Sequence, residues 1–400
     1  MSNDKCGTLG AMRIPAAYVD GFARGRAVNP DRADNYLAHT TVGDPVADAL
    51  VDCLSSLPRA EATRLIELGI QGGDDAALRA APEPVREFFD ACYDPPDWLD
   101  IPSLTPGYRL FHRNTALVLA GMVAGVLVEG FTTNIAKSFF ITGRLRDQGI
   151  RRLKQNNRHM LEIFMPGGME RHSDGWALSV RIRIVHATVR RLLTRSGEWD
   201  IEELGMPISA AHVGLAISAF SARLLHHLKS LGATFDEEER KSFMAIWRYS
   251  GHLMGIPETI LFRDEQDALD IFRIGNLCEP EISMESKVMA TSLVNSAPLF
   301  AGLTEWHARR KLASYIFRIS RALIGDDVAD GLGYPKESTM GTLWRFRLLN
   351  RVDYLLNKLN PTRTQERNNM TTILDVSMFE GHGISYRLPD HIYAEQSREW

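Results

Sequence analysis

The sequence predicts an all-α protein. Nearly every long segment repeats its apolar residues at helical spacing. No pair of alternating segments is joined by an Asn-Gly or Asp-Gly hairpin turn. The composition is that of an ordinary globular chain, with 44% hydrophobic and 24% charged residues among 400. About a dozen helices follow from the spacing.

In chain order, "DPVADALVDCLSSL" (44–57) and "PRAEATRLIELGI" (58–70) form a helical pair, with Pro58 at a first-turn position. "PEPVREFFDACY" is a third helix, and the proline-rich "DPPDWLDIPSLTPG" (94–107) is the best linker candidate. An apolar helix then runs from about Tyr108 to Glu129, followed by a shorter one through "TNIAKSFFI" and another that starts near Asp147. "MPISAAHVGLAISAFSARLLHHLKSLG" (206–232) is amphipathic and stops at Gly232. "DEEERKSFMAIWRYSGHLMG" (236–255) opens with four acidic residues, as the positive end of a helix dipole favours. "DEQDALDIFRIGNL", "SKVMATSLVNSAPLF", "EWHARRKLASYIFRISRALIG" and "TLWRFRLLNRVDYLLNKLN" complete the set. The expected organisation is an N-terminal helical extension (1–105) packed on a core (106–360), with a polar C-terminal tail (361–400).

Several function classes are excluded by composition and motif. A net charge of −4 gives no reason to expect nucleic acid. Cys6, Cys53, Cys92 and Cys278 are scattered without a CxxC pair, so neither a zinc site nor a disulfide framework is indicated. The N-terminus lacks a charged region leading into an apolar run, so no secretory signal is read and a cytoplasmic location is expected. The most apolar stretch, Ala116 to Val128, has 13 residues. A membrane crossing needs about 20, so a buried core helix is expected and no transmembrane segment. HExxH, GxSxG, P-loop and GxGxxG patterns are missing, as are the paired ExxH motifs of di-iron bundles. His226 and His227 are adjacent and point about 100° apart on a helix, so they do not share one metal. His252 reads as a core or surface residue.

"SVRIRIVHATVRRLL" (179–193) stands apart. "VRIRIV" alternates like a strand, but Ile182, His186, Val189 and Leu193 fall at i, i+4, i+7 and i+11, one face of a helix. That helix is expected from Ser173 or Asp174 to about Arg195, before Gly197. It places His186 in an apolar stripe, with Arg183 and Arg190 on neighbouring parts of the same face. A lone histidine on an apolar face is more often a packed core residue than a ligand. Against that stands the suitability of a neutral imidazole beside two cations for haem: the ring nitrogen binds iron and the arginines pair with propionates.

The same segment resembles the "VRxRxxHAxVR" signature of the latex-clearing-protein and MpaB-type oxygenase family, the rubber oxygenase catalytic domain. Upstream, "TGRLRDQGIRRLKQNNRHMLEIFMPGG" resembles that family's "RLxxTxxxL" helix and its glycine-containing loop. Downstream, "WDIEELGMPIS" and "WRYSGHLMGIP" resemble its "W…GxPI" and "WrxxgxxxGi" segments. The likeness runs from about Tyr108 to Pro257 and on through "GYP" at Gly333–Pro335. It implies a globin-like helical core carrying b-type haem and a reaction of O2 with an apolar, unsaturated, isoprenoid-like substrate, in some members with cleavage of C=C bonds. By position, His186 is the implied iron ligand and Arg152 matches the arginine of the distal helix. Arg183 and Arg190 are candidates for the propionates on physical grounds alone.

Two departures bear on the reaction. Latex-clearing members have a lysine three after the distal arginine and a threonine next to it; here Gln155 and Asn156 stand there. The family's proposed base glutamate has no counterpart in "TTNIAKSFFITG", and Glu129 is the nearest carboxylate. Amides at 155 and 156 can hydrogen-bond dioxygen or water but cannot take up a proton as a base. Haem binding therefore carries over better than rubber cleavage. Two alternatives stay open: a haem-dependent tailoring enzyme for a small natural product, and a haem- or lipid-binding protein without catalysis.

Overall fold

The computed structural model describes residues 8–9, 12–141 and 157–359. Its architecture is all-α, apart from a two-stranded antiparallel ribbon pairing Thr8–Leu9 with Met12–Arg13. One apolar core joins residues from Ile14 to Tyr334, so the N-terminal helices share it with the rest of the chain.

Helix ends follow the local chemistry that the sequence advertises. Asn29, Asp44, Asp74, Ser209, Asp236, Asp264, Ser283 and Glu305 each accept a backbone N–H of the helix that they open. Asp236 and Glu239 form a reciprocal capping box at the start of Glu237–Leu253. The His186 helix spans Asp174–Ser196 and ends on Gly197 at φ 74°, as expected.

Three segments differ from expectation. The apolar stretch is not one helix: Thr105–Arg113 and Thr115–Gly130 meet at Asn114 with an 80° bend. Asn114 leaves helical geometry there (φ −112°, ψ 20°), and its own amide and the Thr115 hydroxyl take up carbonyls of the preceding turn. Within the second half, Met122–Val126 is a π-turn. The amphipathic helix begins later than the pattern suggests, at Ala210, and also holds a π-turn over Ala219–Arg223. Such insertions cluster at functional or strained positions, and these two pack against each other.

Val19–Val28 and Pro30–His39 are helices that the apolar spacing does not announce. Gly21 and Gly25 dilute the first of them, because the helix lies flat against Glu265–Cys278: a methyl group on either glycine would overlap Cys278. Among the described residues no single helix is long and apolar enough to cross a membrane. The bent pair passes by composition only, and its apolar residues are part of the core.

Candidate active site around His186

The helix Asp174–Ser196 is clasped between Pro45–Leu54 on one side and Glu237–Leu253 on another. Its most buried stripe is not the one that the apolar spacing suggests. Trp176, Val180, Arg183, Ala187 and Arg190 are buried, whereas Ile182, His186 and Val189 are half-buried. The reason is electrostatic. Each arginine of the segment is matched by a carboxylate from the N-terminal extension, so guanidinium groups can go where apolar side chains were expected.

The pairs are specific. Arg183 grips Asp44 with Nε to Oδ2 at 2.6 Å and Nη2 to Oδ1 at 3.0 Å, and its Nη1 reaches Cys92 Sγ at 3.8 Å. Arg190 Nε donates to Asp48 Oδ1 at 2.8 Å, and its Nη1 donates to the Ile208 carbonyl at 2.6 Å. Arg181 makes a two-pronged pair with Glu67, at 2.8 and 2.7 Å. Arg191 and Arg195 share Asp52, at 2.7 and 2.9 Å. Asp44, Asp48 and Asp52 recur every four residues, which sets them on one side of their helix, facing the arginines.

Two glycines allow this proximity. A Cβ on Gly43 would come within 2.8 Å of Arg190 Nε, and one on Gly255 would overlap the Asp44 carboxylate. Gly255 also sits at φ 78°, a region that side chains avoid.

His186 borders a small, partly open recess with room for about 10 Å³, the size of a single water site, which is also lined by Asp44, Arg190, Val213, Met254 and Gly255. Its Nδ1 is buried with no hydrogen-bond partner among the described residues. Burial pushes the imidazole pKa down to about 4; the Arg190 cation acts in the same direction and Asp44 only partly offsets it. The ring is therefore neutral at physiological pH. Nearby lies His159, fully enclosed, with Nε2 2.9 Å from Ser179 Oγ and its ring 6.2 Å from that of Trp247. Burial drives its pKa to about 3, with His186 the second cause, so this ring is neutral too. Nothing in the sequence pattern marks His159; only its hydrogen bond to Ser179 on the His186 helix places it within electrostatic range of His186.

The fit of a haem can be tested on these residues. Among the described residues no three His, Cys, Asp or Glu side chains form a cage for a bare ion. A haem iron needs less, because the porphyrin supplies four ligands and one neutral imidazole completes the proximal side. His186, neutral and with an unsatisfied ring nitrogen, has that chemistry. Of the two arginines, Arg183 is engaged by Asp44 and Cys92, while Arg190 binds Asp48 through Nε and the Ile208 carbonyl through Nη1, and its side chain lines the recess. Arg152, Gln155 and Asn156 lie outside the described residues.

Comparison with known proteins bears on the same region. A family profile described as "ER-bound oxygenase mpaB/B'/Rubber oxygenase, catalytic domain" matches residues 108–352, more than half of the chain. The rubber oxygenase of Streptomyces sp. (strain K30) is 23% identical over 310 residues, covering 75% of this chain and 72% of the relative. The structure of latex clearing protein in the closed state superposes with a TM-score of 0.61 at 20% identity, over 88% of both chains, and so shares the fold. The profile takes in the helix of His186 and everything packed on it except the N-terminal extension. On these grounds the chain belongs to the mpaB/rubber oxygenase family of oxygenases.

Proposed function

We propose that the protein is a haem b-dependent oxygenase that uses O2 on an apolar, unsaturated, isoprenoid-like substrate. The observation that carries this is His186: a neutral imidazole with an orphaned buried nitrogen, at the histidine of the family-like motif. When bound, haem would supply the activation of dioxygen. The chain's own residues do the rest. His186 would hold the iron. Arg190, which lines the recess beside His186 and is bonded to Asp48 through Nε alone, is the better placed of the two arginines for a propionate. Arg183, locked to Asp44, orients the helix one turn before the histidine. Arg152, Gln155 and Asn156 are proposed as the polar groups beside dioxygen and substrate; the two amides can donate and accept hydrogen bonds but hold no exchangeable charge.

The test is spectroscopic. Purified protein should show a Soret band and stoichiometric haem, and His186→Ala should lose both while keeping its helical circular dichroism. Unchanged haem content and spectrum in that variant would refute the assignment.

A second reading keeps the haem and drops chain cleavage, giving an oxidative tailoring enzyme for a small natural product. It is favoured by Gln155 and Asn156 at the positions of lysine and threonine in latex-clearing members. Product masses after incubation with polyisoprene and with short terpenoids separate the two readings.

A further inference from the structure

The last described helix, Thr342–Leu359, presents two unlike faces. Leu343, Phe346 and Asn350 turn inward, and Arg347 Nε ties the helix down by donating to the Ser230 carbonyl at 2.7 Å. The outer side carries Trp344, Leu348 and Val352 at four-residue intervals, 67%, 43% and 43% exposed. Leu349 lies beside them, and Met340, just ahead of the helix, is 93% exposed. At 100° per residue, Arg351 falls on one edge of this stripe and Arg345 on the other. The neighbouring helix Trp306–Ile324 packs against it and begins with a second exposed tryptophan, Trp306, with the Arg310 guanidinium 5.3 Å from its ring centre.

The charge here is one-sided. The helix Thr342–Leu359 carries Arg345, Arg347, Arg351 and Lys358 against a single acid, Asp353, and Arg309, Arg310 and Lys311 add three cations on the adjoining helix. The whole chain is net −4, so this end runs against the overall balance. Exposed Trp, Leu and Val flanked by arginines are the composition of a helix lying in the plane of a membrane interface. A second copy of the chain is a poor occupant, because a two-fold contact centred on Leu348 would bring the cations at 345 and 351 of one copy towards those of the other.

We propose that this face is a docking surface for an anionic lipid bilayer. The apolar stripe enters the boundary between headgroups and acyl chains, and the arginines pair with lipid phosphates and carboxylates. The inference does not depend on the haem assignment, although a bilayer is also where an isoprenoid-like molecule would partition.

The experiment is co-flotation of the full-length protein with phosphatidylcholine vesicles, with and without phosphatidylserine. Binding is expected only with phosphatidylserine. It should weaken when salt is raised from about 0.1 M to about 1 M, which shortens the screening length from about 10 Å to about 3 Å. Neutralising Arg345 or Arg351 should cost about fivefold each, the equivalent of about 1 kcal/mol per cation. Trp344→Ser with Leu348→Ser should weaken binding by about tenfold or more. These positions are exposed, so circular dichroism and melting temperature should stay as in the parent and separate lost binding from lost folding. The proposal is overturned by no flotation with either vesicle, by equal flotation with both, or by flotation that ignores the substitutions. A dimer in solution that Trp344→Ser with Leu348→Ser dissolves would assign the face to a second copy instead, and would equally overturn it.

Discussion

Asp44 and Arg183 meet as a two-pronged ion pair across 139 residues of sequence, one at the mouth of the N-terminal extension and the other one turn before His186. Both side chains are about one-tenth exposed or less. Asp44 also caps its own helix by accepting the Ala47 N–H at 3.2 Å. A single carboxylate thus holds a helix start, a buried guanidinium and one wall of the recess.

Removing it should therefore be costly. Asp44→Ala leaves the Arg183 cation buried without a counter-charge and should destabilise the fold by about 3–5 kcal/mol, read from urea denaturation. Asp52→Ala breaks pairs of the same type at the solvent-exposed end of the ladder and should cost about 1 kcal/mol or less. Equal losses in the two variants would mean that burial does not grade this ladder.

In the haem-free protein, acid should weaken the fold through two imidazoles, enclosed His159 and half-buried His186. His186 and His159 have pKa values lowered to about 4 and about 3 in the fold, against about 6.5 in the unfolded chain. Between those limits the unfolded chain binds more protons, so stability rises with pH from about 3 to about 6.5 and is lost as pH falls through that window. The His186 contribution is on the order of 3 kcal/mol. With both proteins haem-free, His186→Gln should flatten the dependence of the urea midpoint on pH; a slope identical to the parent would contradict the lowered pKa of this imidazole.

A second polar cluster lies between the two π-turns. Glu129 accepts from Arg223 Nη2 at 2.6 Å and pairs with His227 Nε2 at 3.0 Å, and Gly125 leaves room for the His227 ring. Burial raises the Glu129 pKa, but the His227 and Arg223 partners together outweigh it and hold the carboxyl below its ordinary value. Its stabilisation is present above about pH 4.5 and disappears on acidification through the lowered pKa. Glu129→Ala should cost about 3–5 kcal/mol, whereas Gly125→Ala, which crowds the imidazole, should cost about 1–3 kcal/mol. Melting curves at neutral pH check both.

The family-like motif let the sequence point to His186, since a motif is a local string. The neighbouring His159 stayed invisible, because no local period distinguishes an enclosed histidine from an exposed one. Arg183 and Arg190 read as candidates for propionates because their carboxylate partners, Asp44 and Asp48, lie more than a hundred residues away in the sequence. A signal did exist: Asp44, Asp48 and Asp52 at four-residue steps make an acidic helix face that asks for a basic one.

By itself the sequence determined the all-α class, most helix ends and the His186 helix from Asp174 to Gly197, because periodicity and capping act over a few residues of contiguous chain. The tertiary structure alone decided which face of that helix is buried, since guanidinium groups can be enclosed only once carboxylates more than a hundred residues away neutralise them. It also decided the break at Asn114, the helices carrying Gly21 and Gly25, and the outward turn of Trp344. Each depends on what packs, or fails to pack, against the segment from a distant part of the chain.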